Sequence, residues 1–467
     1  MSSLPVFDDL PGRHARLATA YDRLDPKLQI PTQAIGRRYA IGCVAVEITQ
    51  RCNLDCTLCY LSESSEKVKD IPIQLVFERL ARVRETYGDG VGVQITGGDP
   101  TLRNREELVA IVREAARLGL EPSLMTNGIK LTRDLAKELK GAGMTDVAIH
   151  VDLTQERKGY ATEEDLNAVR REYIERVRGL GLHVIFNTTV FDGNFQEIPA
   201  LIQFFKDNAD VVALASFQIQ ADTGRGVIKA DDRSEVITLM SVRKKIADAC
   251  ATDLSWDNIR VGHPDCTSVA FTLVARGKVL DLNRDPALYA EIIKATTDFK
   301  LTRVDAFGTA VRVFTWALGQ PKLVFLFARH MVMFAARHTK VLWSGRKELR
   351  KLTLIIHNFM DAAKLDPERI HSCSFMVATD RGFVSMCAHN AARESFIRRP
   401  LELETAEGKR IWDPLTGQFV EQVPRLVAAS AASNVLPSAL GEIPLPSLPM
   451  AAAEVNAAPS VAAAGGK

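Results

Sequence analysis

The sequence predicts an α/β fold whose parallel sheet is wound right-handed into an incomplete, TIM-like (β/α)6 barrel, with an α-rich C-terminal extension. Three observations lead there. Short apolar runs alternate with helix-period segments from about residue 40 to residue 218, a three-cysteine loop follows the first run, and polar, glycine-bearing turns close the later ones.

The runs lie at 40–48, 91–96, 122–126, 147–151, 183–190 and 211–218. Amphipathic helices are expected between them at 74–87, 103–118, 132–141, 163–180 and 196–208; in the second, Leu108, Ile111, Val112 and Ala115 recur at helical spacing. Short apolar strands alternating with helices imply parallel strands joined by right-handed crossovers. In such a barrel the chemistry gathers at the carboxyl ends of the strands.

The loop after the first run reads Cys52-Asn53-Leu54-Asp55-Cys56-Thr57-Leu58-Cys59-Tyr60. Thiolate is the usual protein ligand of iron–sulfur clusters. Three thiolates on one short loop can hold three corners of a four-iron cluster and leave the fourth iron open, whereas a closed structural site needs a fourth ligand and none lies in the loop. The alternative is three unrelated buried or zinc-binding cysteines. The C-x3-C-x2-C spacing after a first strand resembles the radical S-adenosylmethionine enzymes. That resemblance implies a [4Fe-4S] cluster on Cys52, Cys56 and Cys59, whose open iron binds the amino and carboxylate groups of S-adenosylmethionine. It also implies one-electron cleavage of that molecule to a 5′-deoxyadenosyl radical that abstracts hydrogen from an unactivated carbon. A flavodoxin- or ferredoxin-like protein would supply the electron.

The second run ends Thr96-Gly97-Gly98-Asp99-Pro100-Thr101. Two glycines let main chain approach a ligand closely, and a carboxylate accepts hydrogen bonds from an ammonium. The family resembled has Gly-Gly-Glu-Pro here, holding the methionyl amino group; Asp99 is a shorter acid. By the same resemblance Thr126 and Asn127 after the third run, Asp152 after the fourth and Asn187 in the fifth line the S-adenosylmethionine pocket. For Thr126 the plainer reading is a helix cap. Leu58 stands where many members carry an aromatic residue.

The sixth run leads into Gln218-Ile219-Gln220-Ala221-Asp222-Thr223-Gly224-Arg225-Gly226, and His263-Pro264-Asp265-Cys266, Cys373 and Cys387 follow. Together these resemble the branch holding archaeal tetraether lipid synthases and related pterin methylases. Cys266, Cys373 and Cys387, with Cys250, His263 or His389 as a fourth ligand, would then hold an auxiliary iron–sulfur cluster; the alternative is small buried apolar residues. Cys43 reads as a core residue of the first run. The branch favours carbon–carbon bond formation or alkylation of a lipid-like substrate, then a pterin; a peptide-modifying radical enzyme and a non-catalytic iron–sulfur electron carrier are the alternatives.

In the 467-residue chain, 59 Lys and Arg nearly balance 57 Asp and Glu, so nothing global points to nucleic acid. Residues 1–25 carry no apolar signal core, and eight cysteines are too few for a disulfide scaffold; both suit a reducing cytoplasm. The expected divisions are an N-terminal extension (1–38) with a helix near 13–24, the barrel (39–227), a C-terminal substrate and auxiliary-site domain (228–425) and a disordered Ala/Pro-rich tail (426–467). The apolar run 323–336, interrupted by Arg329 and His330 and followed by Arg337, Lys340, Arg346, Lys347, Arg350 and Lys351, is too short and too polar to span a bilayer. It reads as a buried helix with a basic face, as a channel for a lipid chain, or as a peripheral membrane contact.

Overall fold

The computed structural model describes residues 12–61, 65–225, 233, 237–297, 311, 314–345, 349–405 and 408–420. Gly226, Arg346, Lys347 and the tail 426–467 lie outside the described residues.

The six expected strands form as β1 (Cys43–Thr49), β2 (Gly92–Gly97), β3 (Glu121–Thr126), β4 (Asp146–His150), β5 (His183–Val190) and β6 (Val212–Ile219), each pairing in parallel with the next. The five helices between them form as well: Ile73–Tyr87, Arg105–Arg117, Arg133–Gly141, Asn167–Val177 and Ile198–Asp207. Local chemistry explains their bounds. Asn104 caps the second by accepting from Glu107 N at 3.0 Å, Glu106 and Glu107 sit in its first turn, and Leu108, Val109, Ile111, Val112 and Ala115 are its buried stripe. Val44, Ala45, Val46 and Ile48 of β1 have no exposed surface, as expected of a parallel strand covered on both faces.

The chain after β6 adds β7 (Thr267–Ala275), β8 (Lys278–Asp281), β9 (Arg350–Asn358), β10 (Phe375–Thr379) and β11 (Gly382–Ser385), then a separate sheet of β12 (Leu401–Thr405), β13 (Gly408–Asp413) and β14 (Gln418–Val420). The large sheet runs β11-β10-β1-β2-β3-β4-β5-β6-β9-β7-β8. β9 pairs in parallel with β6 and β10 with β1, and antiparallel strands flank them. The C-terminal part therefore contributes long helices, as expected, and also strands on both flanks of the barrel, so one sheet spans the boundary expected at residue 227.

That sheet is curled into a half-barrel. Phe359, just past β9, lies 6.4 Å from Phe375 at the start of β10, and His357 is equally close to Phe375. Six strands separate β9 from β10 in the sheet order, so these rings meet only because the sheet bends round.

The N-terminal segment is part of the core. Helix Arg13–Asp22 buries Leu17 and Ala20, Leu24 follows them, and Gln33 exchanges two hydrogen bonds with the Gly262 main chain at 3.1 and 3.0 Å. Among the described residues no helix is long and apolar enough to cross a membrane. The run 323–336 lies within helix Pro321–Gly345, with one face buried and the other exposed.

Candidate active site

A cavity of about 1370 Å³, counting its open mouth, occupies the carboxyl ends of the barrel strands. Cys52, Cys56, Cys59, Gly98, Asp99, Thr126 and Asn127, all expected site residues, line it together. Gly97, Asp152 and Asn187 stand behind its wall.

The cysteine loop is held from several sides. Thr57 N donates to Thr154 O at 2.9 Å, Asn127 Nδ2 donates to Asn53 Oδ1 at 2.7 Å, and Tyr60 Oη donates to Gly97 O at 3.0 Å. Arg393, from the helix Arg393–Ile397 and fully buried, lays its guanidinium 4.9 Å from the Tyr60 ring centre and donates to Glu47 Oε1 at 2.7 Å and Gln50 Oε1 at 3.0 Å. Burial alone would raise the Glu47 pKa, but Arg393, His389 and Gln50 outweigh it and hold the carboxyl at about 2.

The glycine pair packs directly against the chain that leads into the loop. Gly98 N donates to Thr49 O at 2.9 Å and Asp99 N to Arg51 O at 2.7 Å, so the end of β2 rides directly on the chain leading into Cys52. A side chain at either glycine would strike the backbone of residues 49–51, and Gly97 has φ +139°.

Asp99 is 1% exposed and its two oxygens are fully engaged. Oδ1 accepts from Thr101 N at 3.0 Å and Thr101 Oγ1 at 2.5 Å; Oδ2 accepts from Thr126 Oγ1 and Asn127 N, both at 2.8 Å. The carboxylate thereby fastens the end of β3 to the end of β2. Asp152 is built alike: Oδ1 accepts from Thr154 N and Oγ1, and Oδ2 meets Thr189 N at 2.7 Å and His150 Nε2 at 2.6 Å. Burial opposes the charged form of both partners, but each outweighs it for the other: Asp152 is held at about 2 and His150 is raised above its ordinary value. Of this strand end the sequence singles out Asp152, whereas the side chain that lines the cavity is His150, at the end of β4. Asn187 likewise supports Gln218, whose Nε2 donates to Asn187 Oδ1 at 3.3 Å, and Gln218 lines the cavity.

The C-terminal part supplies another stretch of wall: Phe359, Met360, Phe375, Met386, Cys387 and Asn390. Arg225 of the Thr-Gly-Arg loop donates to Asn390 O at 2.7 Å and so ties the loop after β6 to this wall. Two buried amide atoms of the cavity lining, Gln220 Nε2 and Asn390 Oδ1, have no protein partner.

Behind that wall Cys266, Cys373 and Cys387 come together although 107 residues separate the first two (373 − 266). Burial pushes Cys266 up to about 11 and Cys387 to about 12, and the neighbouring Cys373 adds to the rise of both. Arg369 Nε donates to Cys266 Sγ at 3.2 Å, and Met360 N to Cys387 Sγ at 3.4 Å. Of the three expected fourth ligands, His263 has both ring nitrogens in hydrogen bonds, while His389 Nδ1 is buried without a hydrogen-bond partner. His263 Nδ1 accepts from Asp265 N at 3.1 Å, which leaves Nε2 to donate to Glu368 Oε1 at 3.1 Å; His389 stacks on Phe396; Cys250 is buried beside Lys206.

The donor set of the first loop fits an iron–sulfur cluster. Burial pushes all three thiols upward, and mutual repulsion raises Cys56 and Cys59 further, a cost that a cationic metal core reverses. Leu61 N donates to Cys59 Sγ at 3.4 Å and Asn127 Nδ2 to Cys52 Sγ at 3.8 Å, the kind of contact that tunes cluster sulfurs. Among the described residues no three His, Cys, Asp or Glu side chains close round a single ion. A cluster takes each thiolate on a different iron, so its ligands need not converge as those of one ion must.

Comparison with known proteins matches residues 46–205 to the Radical SAM superfamily. The chain is 24% identical over 417 residues to the 7,8-dihydro-6-hydroxymethylpterin dimethyltransferase of Methanocaldococcus jannaschii, covering 78% of this chain and 80% of that one. It is 31% identical over 182 residues to the PqqA peptide cyclase of Bradyrhizobium diazoefficiens, spanning 38% of this chain and 46% of the relative. Among solved structures, anSMEcpe with bound AdoMet aligns at 13% identity and TM-score 0.37 over 61% of this chain and 99% of its own. A parallel half-barrel, the cysteine loop at its carboxyl-end cavity and the match over 46–205 agree: the chain is an enzyme of the radical S-adenosylmethionine superfamily, whose cofactors are a [4Fe-4S] cluster and S-adenosylmethionine.

Proposed function

We propose that Cys52, Cys56 and Cys59 hold the [4Fe-4S] cluster, and that the enzyme directs hydrogen abstraction at an unactivated carbon of an apolar, lipid-like substrate, for carbon–carbon bond formation or alkylation. Together, the reduced cluster and S-adenosylmethionine supply a 5′-deoxyadenosyl radical, methionine being the other product of carbon–sulfur cleavage. The chain's own residues bind, orient and exclude water. Gly98, Asp99, Thr126 and Asn127 shape the cofactor side next to the cysteines, with Gly97, Asp152 and Asn187 as supports behind it. Asp99 acts by fixing Thr126 and Asn127, because its acceptor positions are already filled. His150, whose protonated form Asp152 favours, lines the cavity.

The observation that carries the substrate class is the C-terminal wall of the cavity, where Phe359, Met360, Phe375 and Met386 offer aromatic and thioether surface suited to an apolar body. A second reading, a pterin, is favoured by the long similarity to the pterin dimethyltransferase and by Gln94, Gln218, Gln220 and Asn390, amides that can pair with a heterocycle's edge. The likeness to the peptide cyclase covers only 38% of this chain and carries no substrate argument. Cys266, Cys373 and Cys387 would hold the auxiliary cluster, and Cys387 would place it against the substrate side of the cavity. A flavodoxin- or ferredoxin-like protein would deliver the electron.

The test is anaerobic turnover with S-adenosylmethionine and dithionite. A membrane-lipid extract should increase 5′-deoxyadenosine yield and give a lipid product of altered mass. Stimulation by a reduced pterin but not by lipid would select the second reading.

A further inference from the structure

Helix Pro321–Gly345 packs on the chain through Leu323, Leu326, His330 and Phe334, none more than 9% exposed. Its neighbours there are the helix Pro286–Ala295 and the β7–β8 hairpin. A surface helix is expected to be polar on the arc opposite such a seam. This one is not. Phe325 and Val332, seven residues apart and so on one face, lie opposite the seam at 67% and 69% exposure. Phe327 on the same helix, Trp343 near its end, and Phe314 and Leu318 just before it are each more than half exposed.

Charge indicates what covers this face. The helix contains Lys322, Arg329, Arg337 and Lys340 and no Asp or Glu. Lys322 and Arg329 are bound to Glu291 and Asp285 at 2.7 and 2.6 Å, and Arg337 and Lys340 on the same helix are exposed as well. A two-fold contact between copies would set like cations against each other. An anionic lipid surface answers both features at once: it takes the apolar arc into the headgroup boundary and attracts the flanking cations. A Trp with 90% of its surface exposed suits the same boundary.

We propose that this face docks the protein on a bilayer containing anionic lipid, with the helix lying in the interface plane. The proposal stands on the helix alone and goes beyond the reading of the cavity, so its test needs no turnover. Full-length protein is floated with vesicles of phosphatidylcholine and of phosphatidylcholine mixed with phosphatidylglycerol. Wild type should rise with the mixed vesicles, less with the neutral ones, and less again at high salt. A Phe325→Ser, Val332→Ser, Trp343→Ser variant with an unchanged circular-dichroism melt should lose binding by ~10-fold or more, a factor that the lost burial of one large apolar side chain already supplies. Arg337→Glu should weaken it by a smaller factor. Wild type that ignores both vesicle types, or a triple variant that floats as wild type does, overturns the proposal. So does sedimentation showing a wild-type dimer that the triple variant dissolves while neither protein binds vesicles.

Discussion

Arg393 and Glu47 are 346 positions apart in sequence, and their side chains meet at 2.7 Å with almost no exposed surface. This contact joins the last helices of the C-terminal part to β1, five residues before the first cysteine of the loop, and the same guanidinium covers Tyr60 beside the last one. Arg393→Met would leave the Glu47 carboxylate buried without its partner, which costs about 3–5 kcal/mol. Chemical denaturation should show that loss, and the reconstituted variant should retain less iron. A variant as stable as wild type, with full iron, would reduce this pair to an incidental contact.

Asp99→Ala should weaken S-adenosylmethionine binding by ~10-fold or more, about 1.4 kcal/mol, while cluster iron stays near wild type. The reason is positional: without the carboxylate, Thr126 Oγ1 and Asn127 N lose their acceptor and the end of β3 comes loose from β2. Equilibrium binding to the reconstituted protein reads the effect, and unchanged affinity would remove Asp99 from the cofactor side.

The His150–Asp152 pair gives a pH dependence whose sign can be stated. Asp152 is depressed to about 2, so its share of the stability is present above the ordinary carboxylate range and is lost as pH falls toward that value. His150 is raised, so its share is fully present below its ordinary value and is lost as pH climbs through the raised one. Asp152→Asn should therefore lower stability by about 2 kcal/mol in mildly acidic solution, and by less at alkaline pH. Thermal melts of both proteins across pH check this; a difference that grows with alkalinity would contradict the pairing.

Much of the barrel was legible because its signals are local. Each of the six strands is one short apolar run, and Leu108 to Ala115 declare their helix within two turns. The cysteine loop was legible for the same reason. What escaped depends on contacts far apart in sequence. β9 follows a basic stretch and β10 is only five residues long, so neither announces that it will extend the sheet beside β6 and β1. Asp99 was read from its glycine motif and Asp152 from resemblance as cofactor contacts; the folded chain adds that the oxygens of both accept hydrogen bonds from neighbouring strand ends and loops. His150, Gln218 and Arg393 became visible once the residues they touch were in place.

Cys373→Ser addresses the second cysteine group. If Cys266, Cys373 and Cys387 share an auxiliary cluster, the variant should lose one cluster's worth of iron and sulfide and keep the electron paramagnetic resonance signal that changes on adding S-adenosylmethionine. Unchanged iron and sulfide would return the three to buried apolar residues held by Arg369, Met360 and Phe375.

The most direct measurement is anaerobic formation of 5′-deoxyadenosine by reconstituted wild type and Cys56→Ala, with S-adenosylmethionine and dithionite. Cys56 lines the cavity between the other two cysteines of its loop, and its backbone neighbour Thr57 is anchored to Thr154, so removing one thiolate should spare the fold. Wild type should produce 5′-deoxyadenosine, and the variant should produce none while giving the wild-type circular-dichroism spectrum. Equal production by the two proteins would contradict the assignment of this loop as the cluster site.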